Sequence, residues 1–341
     1  MRTMTEIKKK LPKKIESDEE GLRISTPVEI AEYKAKRLKN KSIADLGCGI
    51  GIQSIYFSRY FEQVIAVELN DQRLSIAKKN FKRFHVKNIE ILKGNAMDKK
   101  IIDRIKGIEI IFSDPSRPKK GEEWSMDDLS PSPEKIVKSY KDHDAFAFDV
   151  PVYMQQVKIN EGWEKEYISI RGEIKRLSLY TGEIKKFDLS ALLLPYEVRV
   201  VKDKNIERYV IKAQEPMDFI FEIDPAIWYA DLLPELFKEF KNMYLLSLDK
   251  KRALSTGNIE YIDPRFKNIY KKIFIADNLN QLKDKLSRAN AGKVYLRYRI
   301  ESDYYNIKKE LEKNLKGKLD FYIFQFDGKY IGATKESATP R

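Results

Sequence analysis

The sequence contains very little cysteine or histidine. Its 341 residues include one cysteine, Cys48, and two histidines, His85 and His143. One cysteine can form neither an internal disulfide nor a cysteine zinc cluster. Two histidines are too few for a zinc site built from histidine and cysteine alone. The sequence therefore predicts no metal centre.

Long apolar runs are also missing. No run approaches the ~18–20 residues that a membrane-spanning helix needs. Residues 1–20, MRTMTEIKKKLPKKIESDEE, are partly basic but lack the apolar segment of a signal peptide. We therefore predict a cytoplasmic protein without a membrane partner. The chain length suggests two domains, on a prior of roughly 150 residues each.

Acidic residues are outnumbered by basic ones. Lys and Arg together number 65 and Asp and Glu number 52, which gives a net charge of +13 at pH 7. A basic surface attracts polyanions, of which nucleic acid is the commonest in the cytoplasm. A solvated surface in a lysine-rich proteome would give the same excess, so both interpretations stay open. Frequent Lys, Glu, Ile and Tyr with scarce Cys are typical of hyperthermophiles.

The pattern along the chain predicts an α/β protein. Residues 5–40 read as helical, with Pro27 in the first turn of a helix. From residue 42, short strands that are apolar on both faces alternate with helices, which indicates a parallel sheet covered by helices. The predicted strands are SIADLG, VIAVEL, IEILKGNA, IEIIFSD and AFAFDVP.

A different texture follows from about residue 165. EYISIRGEIKRLSLYTG and EVRVVKDKNIERYVIKA look like β-hairpins, and residues 215–341 read as mixed α+β. We predict three parts: an N-terminal helical region over 1–40, a cofactor-binding domain over 41–214 and an accessory domain over 215–341.

A glycine-rich loop follows the first predicted strand. Gly47, Gly49 and Gly51 alternate with other residues, and Asp45 stands two places before the first of them. A dinucleotide fingerprint would need a glycine where Ile52 stands. A phosphate-binding P-loop would end in Gly-Lys-Ser/Thr, which is not found here. Neither ligand is favoured.

The pattern D-x-G-x-G-x-G that closes the first strand resembles the S-adenosylmethionine loop of class I methyltransferases. The resemblance implies a Rossmann-like sheet and S-adenosylmethionine as cofactor. Asp45 would then meet the ligand's ammonium group, Glu68 the ribose hydroxyls, and Asn95 the adenine amino group. The full predicted cofactor set is Thr26, Asp45, Gly47, Cys48, Gly49, Gly51, Glu68, Leu69, Asn95, Ala96 and Asp114.

IFSDPSRP, which follows the fourth strand, resembles the Asp/Asn-Pro-Pro-aromatic turn of amino-methyltransferases. The resemblance implies that Asp114-Pro115 lies beside the transferred methyl group and accepts hydrogen bonds from a substrate N–H. Ser116 and Arg117 replace the second proline and the aromatic residue. These four residues are the predicted catalytic set. Arg117 has two open roles, a bidentate grip on a phosphate or a structural salt bridge.

Because the turn lacks an aromatic residue, another residue must stack on the target base. Trp124, Tyr153 and Trp163 are the alternatives, and the sequence does not choose between them. Cys48 lies inside the cofactor loop, too early for the nucleophile of carbon-5 pyrimidine methylation. We interpret it as a small buried thiol.

Several longer stretches resemble the bacterial and archaeal methyltransferases that carry a THUMP-like C-terminal domain, and more distantly trimethylguanosine synthase. They are STPVEIAEYKAKRL, IADLGCGIG, and DPSRP with DDLSPSPEKI. Thr26-Pro27 matches the family's Thr-Pro-Glu helix, and Asp114, Pro115 and Arg117 match its D-P-A-R-R stretch, although Pro118 replaces the second arginine. Residues 171–182 and 219–233 are similar to later family segments.

This resemblance implies methyl transfer to a nitrogen of an RNA base, with guanine N2 as the first candidate and tRNA or rRNA as partner. Two alternatives stay open: a protein or small-molecule N-methyltransferase, and a non-catalytic binding module. KVYLRYRI near the C-terminus alternates Tyr and Arg, which fits RNA contact. Deep burial of both Tyr295 and Tyr298 would instead make it a core strand.

Overall fold

The computed structural model describes residues 15–18, 26–116, 125–153, 159–299 and 304–336. The chain forms two compact units. The first comprises Met1–Ile168 and Lys175–Leu189, and the second Ser169–Ile174 and Ser190–Arg341. The predicted domain limits at 40/41 and 214/215 stay predictions.

The first unit contains a sheet flanked by helices. Its elements are α1 (Val28–Arg37), β1 (Ser42–Leu46), α2 (Ile52–Phe57), β2 (Gln63–Glu68), α3 (Asp71–Arg83), β3 (Ile89–Lys93), α4 (Lys99–Ile105), β4 (Ile110–Ser113), α5 (Pro133–Ser139), β5 (Ala145–Val150), β6 (Glu164–Ile170) and β7 (Glu173–Tyr180). The strand order is β3-β2-β1-β4-β5-β7-β6. Strands β1 to β5 are parallel and β7 runs antiparallel to β5.

Burial explains this parallel sheet. Every residue of β1, β4 and β5 is buried, as expected for strands with helices on both faces. Helix α1 adds Ala31 and Ala35 to the core cluster that contains Ile43 and Phe112. The chain order reverses between β1 and β4, and such a switch point opens a crevice at the carboxyl ends of the strands.

Helix starts follow local signals closely. Ser132 caps α5, accepting a hydrogen bond from the backbone N–H of Lys135 at 3.3 Å, with Pro133 as the first helical residue. A serine followed by a proline is a sequence signal for such a start. The prediction of helix over residues 5–40 was wrong in extent, because in the described part only Val28–Arg37 is helical and residues 15–18 are not. Pro27 occupies the N-cap position, not the first turn.

The first predicted hairpin is confirmed and the second is wrong. Strands β6 and β7 are joined by Arg171 and Gly172, both with positive φ (49° and 72°), as a tight hairpin turn requires. In the second segment only β9 (Val198–Val201) is a strand, and it pairs with the preceding β8 (Leu189–Leu194). The chain beyond β9 is held instead by Arg208, whose guanidinium pairs with Glu235 at 2.5 Å.

The second unit is mixed α+β, as predicted. Beyond β8 and β9 it contains β10 (Phe219–Ile223), α6 (Pro225–Tyr229), α7 (Leu233–Glu239), β11 (Tyr244–Leu248), β12 (Ala253–Gly257), β13 (Phe266–Ala276), α8 (Leu279–Arg288), β14 (Ala291–Leu296), α9 (Tyr304–Glu312), β15 (Leu319–Phe326) and β16 (Lys329–Lys335). A seven-stranded sheet has the order β11-β12-β10-β13-β16-β15-β14. Leu282 of α8 and Leu311 of α9 pack on its core with Phe321. Across the described ranges, no helix has the length and apolar character of a membrane span.

Candidate active site

The loop between β1 and α2 is shaped by its glycines. Gly47, Gly49 and Gly51 have φ values of 82°, 57° and 84°, in the left-handed region that glycine adopts at little cost. The backbone N–H groups of Gly47 and Cys48 both donate to the carbonyl of Val67 at 2.9 Å. The loop is therefore fastened to the end of β2.

The three glycines serve two purposes. A Cβ added to Gly47 or Gly49 would meet no atom within 4 Å, whereas one added to Gly51 would lie 2.5 Å from the ring of Phe81. Gly51 thus permits close packing on α3. Gly47 and Gly49 present bare backbone to open space, so they form a cradle that a ligand can approach closely. This cradle fits the methionine part of S-adenosylmethionine.

Glu68 is the last residue of β2, and its carboxylate is hydrogen-bonded to the cradle. Its Oε2 accepts a hydrogen bond from the Gly49 N–H and its Oε1 one from the Asn70 N–H, both at 2.8 Å. Each carboxylate oxygen has a second lone pair with which to accept a hydroxyl. The next residue, Leu69, is 64% exposed. Glu68 was predicted from the sequence as a ligand contact, but its hydrogen bond to the glycine loop was not predicted.

Asp45 lies beneath the loop and is buried. The Ser54 hydroxyl donates to its Oδ2 at 2.5 Å. Burial raises the pKa of Asp45 to about 7, and the hydrogen bond from Ser54 opposes this only in part. A cation beside Asp45 would favour the ionised carboxylate. The environment of Asp45 therefore suits the ammonium group of S-adenosylmethionine.

Asn95 and Ala96 lie in the turn after β3. The predicted strand was too long here, because β3 ends at Lys93. The side-chain oxygen of Asn95 accepts the N–H of Met97 at 2.9 Å, and the carbonyl of Ala96 accepts the hydroxyl of Tyr140 at 2.5 Å. Asn95 is exposed while Ala96 is buried. The turn is thus fixed from both sides, with the Asn95 amide at the surface.

Asp114 follows β4 directly. The Ser113 hydroxyl before it donates to the carbonyl of Leu46 at 3.2 Å, which ties the end of β4 to the end of β1. The Asp114 carboxylate pairs with Arg176, with 3.1 Å between Oδ2 and Nη2, and is 27% exposed. Pro115 is buried. The structure therefore places Asp114 at the strand end next to the glycine cradle.

The rest of the predicted catalytic turn is only partly described. Ser116 exchanges two backbone hydrogen bonds with Ser130 at 3.1 Å, and its hydroxyl donates to the Ser130 carbonyl at 3.0 Å. The Ser116 hydroxyl therefore secures the turn. Arg117 and Trp124 lie outside the described residues.

The structure separates the two remaining aromatic candidates. Trp163 is 8% exposed and stacks on Phe148, with ring centroids 5.5 Å apart and planes 21° apart. Tyr153 follows β5, the strand beside β4, and is 68% exposed. Of these two, only Tyr153 is exposed at the surface.

Thr26 and Cys48 are both buried. Thr26, at 7% exposure, immediately precedes Pro27 and helix α1. Cys48 packs with Ile55 and Phe81, and burial raises the pKa of its thiol well above the ordinary value. Cys48 is thus the small buried thiol that we expected.

A buried group of charged side chains lies beside Asp114 and was not predicted from the sequence. Lys34 of α1, Asp149 of β5 and Arg176 of β7 are each less than 10% exposed. The available signal was a charged residue inside an otherwise apolar pattern, as in AFAFDV and in the helix face with Ala31 and Ala35. Within the described ranges, no group of three His, Cys, Asp or Glu side chains could hold a metal ion.

Comparison with known proteins agrees with this geometry. A family model described as RNA cap guanine-N2 methyltransferase matches residues 40–171, less than half of the chain. The crystal structure of a provisionally assigned methyltransferase from Porphyromonas gingivalis W83 is similar with a TM-score of 0.79 at 17% identity, over 98% of this chain and 88% of that one. The fold is that of the class I methyltransferases. This confirms the predicted Rossmann-like α/β class, and S-adenosylmethionine is the methyl donor that the fold and the family model imply.

Two curated relatives match shorter stretches. The probable cobalt-precorrin-6B C(15)-methyltransferase (decarboxylating) of Methanocaldococcus jannaschii is 30% identical over 67 residues, 20% of this chain and 36% of that protein. An uncharacterized RNA methyltransferase of Protochlamydia amoebophila is 37% identical over 59 residues, 17% of this chain and 14% of that protein. The chain therefore spans well under half the length of either relative.

Proposed function

We propose that the chain transfers a methyl group from S-adenosylmethionine to an exocyclic or ring nitrogen of an RNA base, with guanine N2 as the first candidate and tRNA or rRNA as the substrate. The observation that carries this proposal is the placement of Asp114 beside the glycine cradle. Leu46 and Ser113, the last residues of β1 and β4, are partners in register. An acceptor carboxylate and a cofactor loop thus follow neighbouring strand ends.

The cofactor contacts follow from the site. Asp45 binds the ammonium group and the backbone of Gly47 and Gly49 lies along the methionine chain. Glu68 accepts the ribose hydroxyls, and the exposed Leu69 offers an apolar surface to the adenine. Thr26, Cys48, Gly51, Asn95 and Ala96 complete the proposed set. S-adenosylmethionine, when bound, supplies a methyl group on a positively charged sulfur.

Asp114 acts on the substrate by positioning. Its carboxylate accepts a hydrogen bond from the target N–H, which turns the nitrogen lone pair toward the methyl carbon. Alignment of this kind lowers the barrier without a strong base. An exocyclic amine needs little acid–base help, because the proton leaves readily from the methylated product. Pro115, Ser116 and Arg117 complete the proposed catalytic turn.

Tyr153 is the proposed stacking residue for the target base. It follows the strand beside β4, and its 68% exposure leaves its ring accessible. Stacking of a base on an aromatic side chain contributes about 1–3 kcal/mol. Tyr153 would thus replace the aromatic residue that the Asp-Pro turn lacks.

The substrate assignment to RNA has two supports. The net charge of +13 favours a polyanion, and the matched family model is one of RNA cap guanine-N2 methyltransferases. Tyr295 and Tyr298 are both half-buried, so the condition of deep burial is not met. We propose that residues 215–341 form a THUMP-like accessory domain that contacts RNA, in a cytoplasmic protein distantly related to trimethylguanosine synthase.

Incubation with labelled cofactor and total RNA from a deletion strain tests the proposal. We expect label in RNA with the native chain and none with Asp114→Ala, while both bind the cofactor. Mass spectrometry of the labelled nucleosides then identifies the base and the number of methyl groups. Cofactor binding without label in RNA would contradict the proposal.

The two alternatives predict different results. A protein or small-molecule methyltransferase would bind RNA weakly, whereas an RNA enzyme should lose RNA affinity steeply as salt rises. The similarity to the probable cobalt-precorrin-6B methyltransferase is the reason to test the small-molecule alternative as well. A non-catalytic module would bind cofactor and RNA equally well with Asp114→Ala and label nothing.

A further inference from the structure

A chain of alternating charges runs from the core of the first unit to Asp114. The ammonium of Lys34 donates to Oδ1 of Asp149, which also accepts the Ser178 hydroxyl at 2.7 Å. The Arg176 guanidinium lies between two carboxylates. Its Nε is 3.8 Å from Oδ2 of Asp149, and its Nη2 is 3.1 Å from Oδ2 of Asp114.

The burial of this charge chain is graded. The side chains of Lys34 and Asp149 are 0% exposed, that of Arg176 is 8% exposed and that of Asp114 is 27% exposed. Asp114 is therefore the end of the chain that solvent and substrate can reach. The other three groups are enclosed by protein.

A buried arrangement of charges such as this one adds little to the free energy of unfolding. Removing charged groups from water costs several kcal/mol each, and well-packed apolar residues are often as stable in their place. Asp149 Oδ2 and Arg176 Nε also make no hydrogen bond within the described part of the chain. The arrangement does place one planar guanidinium between two carboxylates: Asp149 lies on its buried side at ion-pair distance, and Asp114 pairs with it on the accessible side.

We infer that Arg176 is a positioning residue, which orients the Asp114 carboxylate toward the methyl-transfer position while the buried Asp149–Lys34 pair fixes Arg176. The inference rests on the proposed function, because it assigns Asp114 to that position. Phe148 of β5 pairs with Ser113 of β4, and Asp149 and Asp114 are the residues that directly follow this pair. One guanidinium can therefore span both carboxylates.

Sinefungin provides a test that needs no RNA. This cofactor analogue carries an amine on carbon where the cofactor carries its methylsulfonium, whereas S-adenosylhomocysteine has neither group. The ratio of the two affinities, measured by calorimetry on the full chain, reports the carboxylate at the methyl position. General loosening of the site would lower both affinities together and leave the ratio unchanged.

We expect Asp114→Asn and Arg176→Met each to lower the preference for sinefungin at least about tenfold, with S-adenosylhomocysteine affinity nearly unchanged. Arg176→Lys should retain part of the preference, because it keeps the charge without the planar fork. Arg104→Met is the matched control, since Arg104 forms an exposed pair with Glu90. Arg176→Gln serves where Arg176→Met does not fold.

The outcomes separate the inference from the proposed function. A reduced preference in Asp114→Asn with an unchanged one in both Arg176→Met and Arg176→Gln would overturn the inference alone. An unchanged preference in Asp114→Asn as well would show that Asp114 does not face the methyl position, and both would fall.

Discussion

The carboxylate of Glu68 accepts a hydrogen bond from the backbone N–H of Gly49, with 2.8 Å between Oε2 and N. The second oxygen accepts the N–H of Asn70 at the same distance. One side chain therefore holds the cradle in shape and, in our proposal, binds the ribose. Loss of this side chain should affect the cofactor more than the fold.

Glu68→Ala should weaken cofactor binding by about 1–3 kcal/mol, the scale of hydrogen bonds to a charged group. Calorimetry with S-adenosylhomocysteine measures this loss. Glu68→Gln should fall between Ala and the native chain, because an amide oxygen replaces only one of two acceptors. Glu90→Ala removes a partly exposed carboxylate that pairs with Arg104 on α4, and it serves as control. Unchanged affinity in Glu68→Ala would refute the ribose assignment.

Cofactor affinity should rise with pH near neutrality because of Asp45. Its pKa of about 7 means that the buried carboxyl is largely protonated below that pH. An ammonium ligand needs the carboxylate, so below pH 7 affinity should fall by up to about tenfold per pH unit. The free energy of unfolding without cofactor should change in the opposite direction. The raised pKa of Asp45 stabilises the folded state at low pH, and this contribution is lost as the pH rises through about 7.

Calorimetry of S-adenosylhomocysteine at pH 6, 7 and 8 measures the effect on binding. Asp45→Asn cannot titrate, so its affinity should be lower than native at pH 8 and flat across this range. If the affinity of the native chain does not change between pH 6 and pH 8, cofactor binding does not depend on deprotonation of Asp45.

Two glycine substitutions should separate packing from ligand access. Gly51→Ala places a Cβ 2.5 Å from Phe81 at a φ of 84°, and we expect a stability loss of about 1–3 kcal/mol from strain, with more from the clash. Gly47→Ala has the same backbone strain, about 1–3 kcal/mol, but its Cβ meets no neighbour, so no clash is added while cofactor affinity falls. Thermal unfolding and calorimetry measure the two effects. Equal melting temperatures would contradict the packing role of Gly51.

Local signals predicted the parts of the structure that depend on neighbouring residues. The glycine spacing places the loop after β1, and Ser132-Pro133 marks the start of α5. Pairings between distant segments were not visible. The ion pair of Arg208 with Glu235, which joins residues 27 apart in sequence, was one of these.

The same distinction holds within the candidate site. Asp45, Glu68 and Asp114 were expected at strand ends because the alternation of strands and helices defines those ends. Lys34 and Asp149 are 115 residues apart, so no local pattern joins them. The choice between Tyr153 and Trp163 also needed burial, which depends on what packs around each ring.

Tyr153 should contribute to substrate binding through its ring. Tyr153→Ala should lower kcat/KM for RNA by about 1–3 kcal/mol, which is roughly five- to 150-fold, because one base loses its stacking surface. Tyr153→Phe should retain most activity, since it keeps the ring. Tyr209→Ala is the control, because Tyr209 is 64% exposed and lies outside residues 215–341, the proposed RNA-contacting domain. Cofactor affinity should be the same in all four proteins, so calorimetry distinguishes lost stacking from a damaged site. Equal kcat/KM for Tyr153→Ala and the native chain would exclude Tyr153 as the stacking residue.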